Sequence, residues 1–357
     1  MLKLAVIAYC AENLGDDLFL QLLSDRYPDC DISLVSVSED SLGRLRDIRR
    51  LSCVDLATFR SNAKDYDALV VLGGSMFQQR RGWLRSWVAY ARRFRIASRA
   101  GVPIFVIGAS FGPFSTARYP FAFRQLFRQC EWVSFRDAAS ASLFTGLSAT
   151  RWYPDLAFGY DVSTIERPIV RPGGPIGISV MEFGSGKHIE DYTLSVSNLI
   201  TALAGHRPVK IFSFQDTSAI SDARAAEAAL ATVPPGIVQN VGIYRYRDLG
   251  IDGLLGEMAT CSAVVSTRFH AMVTAAVLGK PVVSIGYHSK VAATINALGL
   301  AIPVLEAGEI SETSKILKLL AHSETSGPVD MSGLATLARQ HFNGLDRLVG
   351  ARDTGVR

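Results

Sequence analysis

Short apolar runs alternate with helix-length stretches along almost the whole chain, and this rhythm constrains the fold more than any other feature. Residues 2–8, 32–37, 68–72, 104–107 and 132–135 read as strands. Residues 16–27, 83–100, 122–129 and 138–144 read as the helices between them. Strands that are apolar at successive positions must be buried on both faces, and a parallel sheet covered by helices on each side does this. Residues 161–175 (DVSTIERPIVRPGGP) break the rhythm with three prolines and two glycines and read as a linker. A second series follows, with strands at 176–180, 209–214, 237–239, 263–265 and 281–285. Its helices fall at 189–203, 219–231, 249–260 and 268–278. The expected architecture is therefore α/β, with two Rossmann-like domains at 1–160 and 176–330 facing a cleft. Residues 331–357 form a C-terminal helix and tail that is expected to pack back on the first domain.

The 357 residues are 48% hydrophobic and 20% charged, which excludes a disordered chain. The net charge of +4 is too mild to imply nucleic acid, and none is expected as a partner. Residues 68–130 hold no Asp or Glu but ten arginines (Arg80, Arg81, Arg85, Arg92, Arg93, Arg95, Arg99, Arg118, Arg124 and Arg128). Solvated helix faces account for such a stretch; the alternative is a basic surface facing an anionic lipid or a pyrophosphate-linked acceptor. Trp83, Trp87 and Phe94 lie among these arginines at near-helical spacing and read first as a core stripe. The five cysteines are scattered with no CxxC pair or Cys/His cluster, so no metal site is expected; no cofactor is expected either. The opening MLKLAVIAYCAENLGDD lacks the pattern of a signal peptide, and no apolar run reaches the ~20 residues of a membrane span. The expected compartment is the cytoplasm, with the inner face of the cell membrane as a station if the basic surface is used.

The chemistry gathers at Ser266-Thr267-Arg268-Phe269-His270, with Lys290 on the next strand–helix loop. No Asp or Glu occurs between Met258 and Leu305, whereas Arg268, His270, Lys280, His288 and Lys290 all do. With Ser266 or Thr267 as N-cap, His270 falls in the first turn of a helix, where the dipole and the backbone N–H groups favour an anion. Other loops sit at strand ends. Asn13-Leu14-Gly15-Asp16-Asp17 follows the first strand and reads as a turn with a helix cap or as part of a ligand loop. Gly73-Gly74-Ser75 and Ser110-Phe111-Gly112-Pro113 end two further strands on the same sheet edge, as tight turns or as anion-binding loops. Arg136, before Asp137 and Ser140, forms a surface pair with Asp137 or acts as an anion clamp. Asp155 is a cap or an acceptor contact.

In order and spacing these pieces resemble the polysaccharide pyruvyl transferase family, which carries an N-x-G-D-[DE] loop, a G-G-x segment, an S-x-G-P segment, an R-D-x-x-S segment and a late R-[LF]-H helix start followed by a lysine. Here they read Asn13–Asp17, Gly73–Ser75, Ser110–Pro113, Arg136–Ser140, Arg268–His270 and Lys290. Gly-Gly-Ser-Met departs from the usual glycine-rich continuation, and Phe269 replaces the commoner leucine. The resemblance implies a glycosyltransferase-B-like fold. It also implies transfer of a pyruvyl group from phosphoenolpyruvate to a saccharide, usually as a cyclic ketal, with a polysaccharide precursor, lipid-linked or not, as acceptor. Under it His270 is the general acid that protonates the methylene carbon. Arg268 and Lys290 neutralise phosphate, and Arg136 and His288 complete the donor contacts. Asn13, Gly15, Asp16, Asp17, Gly73, Gly74, Ser75, Ser110 and Gly112 line the acceptor side, with Asp16 or Asp17 as the base. The rival is a nucleotide-sugar glycosyltransferase of the same fold, which commonly holds the ribose with a C-terminal-domain acid that the window 258–305 lacks. A non-catalytic saccharide-binding relative is the third reading.

Overall fold

The computed structural model describes residues 1–170, 173–182, 187–286 and 289–353. Among the described residues thirteen strands form two sheets. In the first, β1 (Lys3–Ile7), β2 (Asp31–Val35), β3 (Leu51–Val54), β4 (Ala68–Leu72), β5 (Ile104–Ala109), β6 (Trp132–Phe135) and β7 (Thr150–Trp152) take the order β3-β2-β1-β4-β5-β6-β7. In the second, β8 (Ile176–Ser179), β9 (Val209–Ser213), β10 (Val241–Arg245), β11 (Ala263–Ser266), β12 (Val282–Gly286) and β13 (Val304–Glu306) take the order β10-β9-β8-β11-β12-β13. Every pairing is parallel. Both sheets are therefore Rossmann-like, and in each the winding reverses once, between β1 and β4 and between β8 and β11. Ligands of such sheets bind outside the carboxyl ends of the strands at that reversal.

The chain divides into two compact units. One comprises Met1–Ala11, Asp16–Gly159 and Gly333–Arg357; the other comprises Glu12–Gly15 and Tyr160–Ser332. In the first unit β4 and β5 are buried along their whole length. Phe111 packs against Phe77, Phe123 and Phe144, with its ring centroid 4.8 Å from that of Phe144. This aromatic cluster pins the loop after β5, and the Phe111 N–H adds a 2.7 Å bond to the Ser140 hydroxyl. The second core is aliphatic, built on Ile176, Ile178, Val209, Ile211, Val265 and Val283.

The expected C-terminal helix is three pieces: Leu334–Arg339, a 3-10 turn Gln340–Phe342, and Asn343–Asp353. The turn is held from the first unit's sheet. Trp132 Nε1 donates to the His341 carbonyl at 3.0 Å, and the buried His341 ring lies 2.8 Å from both Ser134 Oγ and the Pro154 carbonyl. A carbonyl only accepts, so Nε2 carries the proton and Nδ1 accepts from Ser134. Complete burial pushes the imidazole down to about 4 and keeps it neutral.

Of residues 237–239, expected as a strand, the first two close the short helix Pro235–Val238 and Gln239 is its C-cap, and the strand is β10 just beyond. Pro235 at the first helical position is pre-set for a helix start, which outweighs the apolar Ile-Val pair. The strands β3, β7 and β13 are absent from the sequence expectation. Each is only three or four residues long and lies at or next to a sheet edge, where no long apolar run is needed. The stripe Trp83, Trp87 and Phe94 packs on the first core.

Candidate functional site

The second unit's reversal point is built from the chain after β11. Its last residue, Ser266, turns its hydroxyl onto the Arg268 carbonyl at 2.6 Å, and the helix Phe269–Val277 begins there. The N-cap is Arg268, with no side-chain cap, rather than Ser266 or Thr267. Both hydroxyls are occupied: Thr267 Oγ1 donates to the Ser179 carbonyl at 2.9 Å. Ser179, at the end of β8, in turn accepts from the Thr267 and Arg268 N–H groups at 2.9 and 3.2 Å. The two strands flanking the reversal are thus stitched together where Arg268 and His270 emerge.

Arg268 is not an unopposed cation. Its Nη2 lies 2.5 Å from Asp222 Oδ1, a carboxylate brought in from the first turn of the helix Asp222–Leu230. Asp222 is fully buried and also accepts from the N–H groups of Phe214 and Gln215 at 3.1 and 3.2 Å and of Glu182 at 3.3 Å. Burial pushes its carboxyl up, while the guanidinium and these donors pull it back toward the charged form. Every group bonded to it is a donor, which is the surrounding of a carboxylate. The window that lacks acids in the sequence is therefore not acid-free in space, since Arg268 faces the Asp222 carboxylate. The Arg268 Nε is buried with no hydrogen-bond partner among the described residues.

His270 occupies the first turn of its helix, half-buried, its ring edge-on to Phe269 at 5.4 Å. It is seated on Gly15. A methyl group built on Gly15 would lie 1.8 Å from His270 Nδ1, so only a residue without a side chain admits the ring. The same turn is fixed by Asn13, whose side chain accepts from the Gly15 N–H at 3.1 Å, and by the Leu14 N–H bonding to the Phe214 carbonyl at 3.0 Å. Asn13, Gly15, Asp222, Arg268 and His270 are thereby gathered in one unit. Lys280 is not among them. It precedes β12, at the opposite edge of the sheet from Arg268, and is buried there with its ammonium pushed down by desolvation. Lys290 stands in the first turn of the helix Ser289–Ala297, and its side chain lies outside the described residues. His288 lies outside the described residues altogether.

In the first unit, the loops after β1 and β4 meet at the reversal point. Gly74 (φ +68°) faces Asp16: a side chain there would lie 2.4 Å from Asp16 Oδ1. Of the two acids, Asp17 is fully buried and Asp16 is half-buried. Gly73 also takes a positive φ, as does Gly112. Arg136, at the end of β6, donates to Ser110 Oγ at 2.8 Å, to Asp155 at 2.8 Å and to Ser75 Oγ at 3.2 Å. The expected Arg136–Asp137 pair is overturned. Asp137 caps the helix Ala138–Ser142 through the Ser140 N–H and takes the Ser110 hydroxyl at 2.8 Å, while the arginine turns to the fully buried Asp155. Ser75, Ser110 and Arg136 are brought together by this network.

A family model described as polysaccharide pyruvyl transferase matches residues 13–289, from the Asn13 turn to the residue before Lys290. The chain belongs to the polysaccharide pyruvyl transferase family. It is 24% identical over 287 residues to the amylovoran biosynthesis protein AmsJ of Erwinia amylovora, covering 74% of this chain and 67% of AmsJ. Among solved structures, HepE of Anabaena in complex with UDP-glucose superposes with a TM-score of 0.63 at 14% identity, covering 99% of this chain and all of HepE. MurG of Acinetobacter baumannii follows with 0.53 at 14% identity, covering 99% and 100%. At these identities the likeness is one of fold, and it is the glycosyltransferase-B fold of two Rossmann-like units.

Within this pyruvyl transferase fold, two residues escape the sequence reading. Asp222 and Ser179 carry only the local signals of a helix start and a strand end, and both act on Arg268 from elements distant in sequence. Asp155, by sequence a cap or an acceptor contact, is the cap of Leu156–Gly159 through the Ala157 N–H and also the partner of Arg136, which the sequence does not signal. Among the described residues no cluster of His, Cys, Asp and Glu suits a metal ion, and no helix is long and apolar enough to cross a membrane.

Proposed function

We propose that the protein transfers the pyruvyl group of phosphoenolpyruvate onto a sugar of a cell-surface polysaccharide precursor, releasing phosphate and leaving a ketal. The observation that carries this reading is His270 seated on Gly15 beside an Arg268 oriented by Asp222, at the point of a Rossmann-like sheet where ligands bind, in a chain of the pyruvyl transferase family. Phosphoenolpyruvate is compact, with a phosphate and a carboxylate, and suits a helix start carrying arginine and histidine. His270 protonates the methylene carbon, and the electron deficiency passes to C2 as oxocarbenium character. A sugar hydroxyl adds to C2 and gives up its proton to a base. The C2–O bond to phosphate breaks, and a second hydroxyl closes the ketal with loss of its own proton. Arg268 and Lys290 are assigned to phosphate charge and Arg136 to a further anion contact. His288 completes the donor contacts. Asp16 is the better base of its pair, since Asp17 is shut away from solvent. The relation to AmsJ, named for amylovoran biosynthesis, supports an acceptor among exopolysaccharide precursors.

The deciding experiment follows phosphate release from phosphoenolpyruvate across a panel of α- and β-hexosides, with mass analysis of the product. Acceptor-dependent phosphate release with a gain of one pyruvyl ketal is expected. The likeness to HepE with UDP-glucose defines the rival: release of UDP from a sugar nucleotide, with no phosphate from phosphoenolpyruvate, would sink the proposal in favour of glycosyl transfer.

A further inference from the structure

The first unit carries a cavity of about 480 Å³ that the reaction leaves unused. It is lined by Arg60, Lys64, Arg92, Arg95 and Arg99, with Ser61, Ala63, Ile96 and Ala100 between them and no acid. The helix Leu56–Ser61 and the turn Ala63–Asp65 lead into β4, and the helix Trp83–Arg99 leads back toward β5. In a parallel sheet such helix ends lie at the amino edge of the strands. Ser75, Ser110 and Arg136 lie at the carboxyl edge, so the cavity is at the far side of this sheet from them. Arg60 and Arg99 sit in the last turns of their helices, where a cation offsets the helix dipole. That accounts for neither Lys64 nor Arg92 nor Arg95. None of the five forms an ion pair with a carboxylate of the described residues, and the neighbouring Asp65 is not part of the lining.

The stripe continues along the same helix. Leu84 and Val88 are 59% and 55% exposed, and with Arg92, Arg95 and Arg99 they fall within an arc of roughly 80°. Residues 68–130 contain no acid that an anionic surface would repel. We infer that this face docks on an anionic lipid surface, the five cations holding phosphodiester headgroups and Leu84 and Val88 entering the headgroup layer. Apolar side chains beside a basic cluster suit a bilayer surface better than a dissolved anion, which has no use for them. The inference is independent of the reaction proposed above.

The test is co-sedimentation of the full chain with vesicles of phosphatidylcholine alone and of phosphatidylcholine and phosphatidylglycerol in equal parts. Binding to the mixed vesicles only, fading with salt, is expected. At about fivefold per basic residue near an anionic surface, Arg92→Gln/Arg95→Gln should weaken partitioning about 25-fold. The charge-matched control Arg49→Gln/Lys318→Gln, at exposed positions outside the cavity, should bind like the parent. Leu84→Ser/Val88→Ser should weaken binding with no change of charge, which keeps the inference testable if the arginine pair fails to fold. Equal binding by cavity and control variants would overturn it. So would binding of soluble pyrophosphate at the cavity by a protein that ignores both kinds of vesicle.

Discussion

Gly15→Ala separates the placement of His270, on which the proposed reaction depends, from the stability of the fold. The added methyl would sit 1.8 Å from Nδ1, 2.3 Å from Cγ and 2.5 Å from Cε1 of the imidazole. Ordinary contact begins at 3.4 Å, so Nδ1 must retreat by about 1.6 Å (3.4 less 1.8). Gly15 lies in the first turn of the helix Leu14–Arg26 without a positive φ, so alanine fits its backbone and favours the helix by up to ~1 kcal/mol. Displacing the half-buried ring costs ~1–3 kcal/mol, and the net loss of stability is expected to be ~0–2 kcal/mol. A reacting group moved by 1 Å or more loses about a hundredfold in rate. The assay is phosphate release from phosphoenolpyruvate with a competent acceptor, beside a thermal melt. Gly256→Ala, also helical but with nothing within 4 Å of the new methyl, is the control and should lose no turnover. Gly15→Ala with turnover within about threefold of the parent would refute the proposed acid role of His270 seated on this glycine.

The buried His341 makes the first unit acid-sensitive. An unfolded histidine takes up its proton near 6.5 and the folded one only at about 4, so stability is complete above 6.5 and falls as the pH drops between these values, by ~3 kcal/mol in all. Denaturant melts across that window should show this slope in the parent, and His341→Gln should flatten it while lowering stability at neutral pH. Gly344→Ala would drive a methyl to 2.6 Å from the Trp132 ring and should cost ~1–3 kcal/mol, read as earlier proteolytic release of the C-terminal helix.

The fold was legible because its signal is local. β4 and β6 are buried on both faces, which forces unbroken apolar runs, and these were read to the residue. β10 is half-buried along its length and interrupted by Gly242, and β7 is the three residues Thr150–Trp152 at a sheet edge, so neither announces itself. The site divides in the same way. Arg268 and His270 share one helix start, and the basic residues that directly follow the apolar strand mark it. The pairing of Arg268 with Asp222 joins residues 46 apart, and that of Arg136 with Asp155 joins residues 19 apart. Such contacts follow from strand order. A β8–β11 neighbourhood exists only because the winding reverses, and no residue near Arg268 in sequence encodes that.

The two arginine–aspartate pairs share a form that says what they are for. In each the arginine side chain is 13% exposed and its aspartate 0%, and each stands at the carboxyl edge of its own sheet. Burying both charges costs about as much as their attraction returns, so neither pair is a sound reason for stability. Under the proposed reaction, each instead presents a guanidinium whose direction is fixed before the anion arrives, at the cost of part of its charge. The consequence is testable as a cycle at Arg268 and Asp222. Asp222→Asn keeps an oxygen for the Phe214 and Gln215 N–H groups but leaves Arg268 without a counter-charge, and it should lose ~3 kcal/mol. Adding Arg268→Met removes the orphaned charge and should restore most of that stability. If the pair serves orientation, turnover stays low in the double variant although the fold has recovered. Recovery of turnover together with the melting temperature would show that Arg268 matters only for the fold, and its place in the donor site would have to be given up.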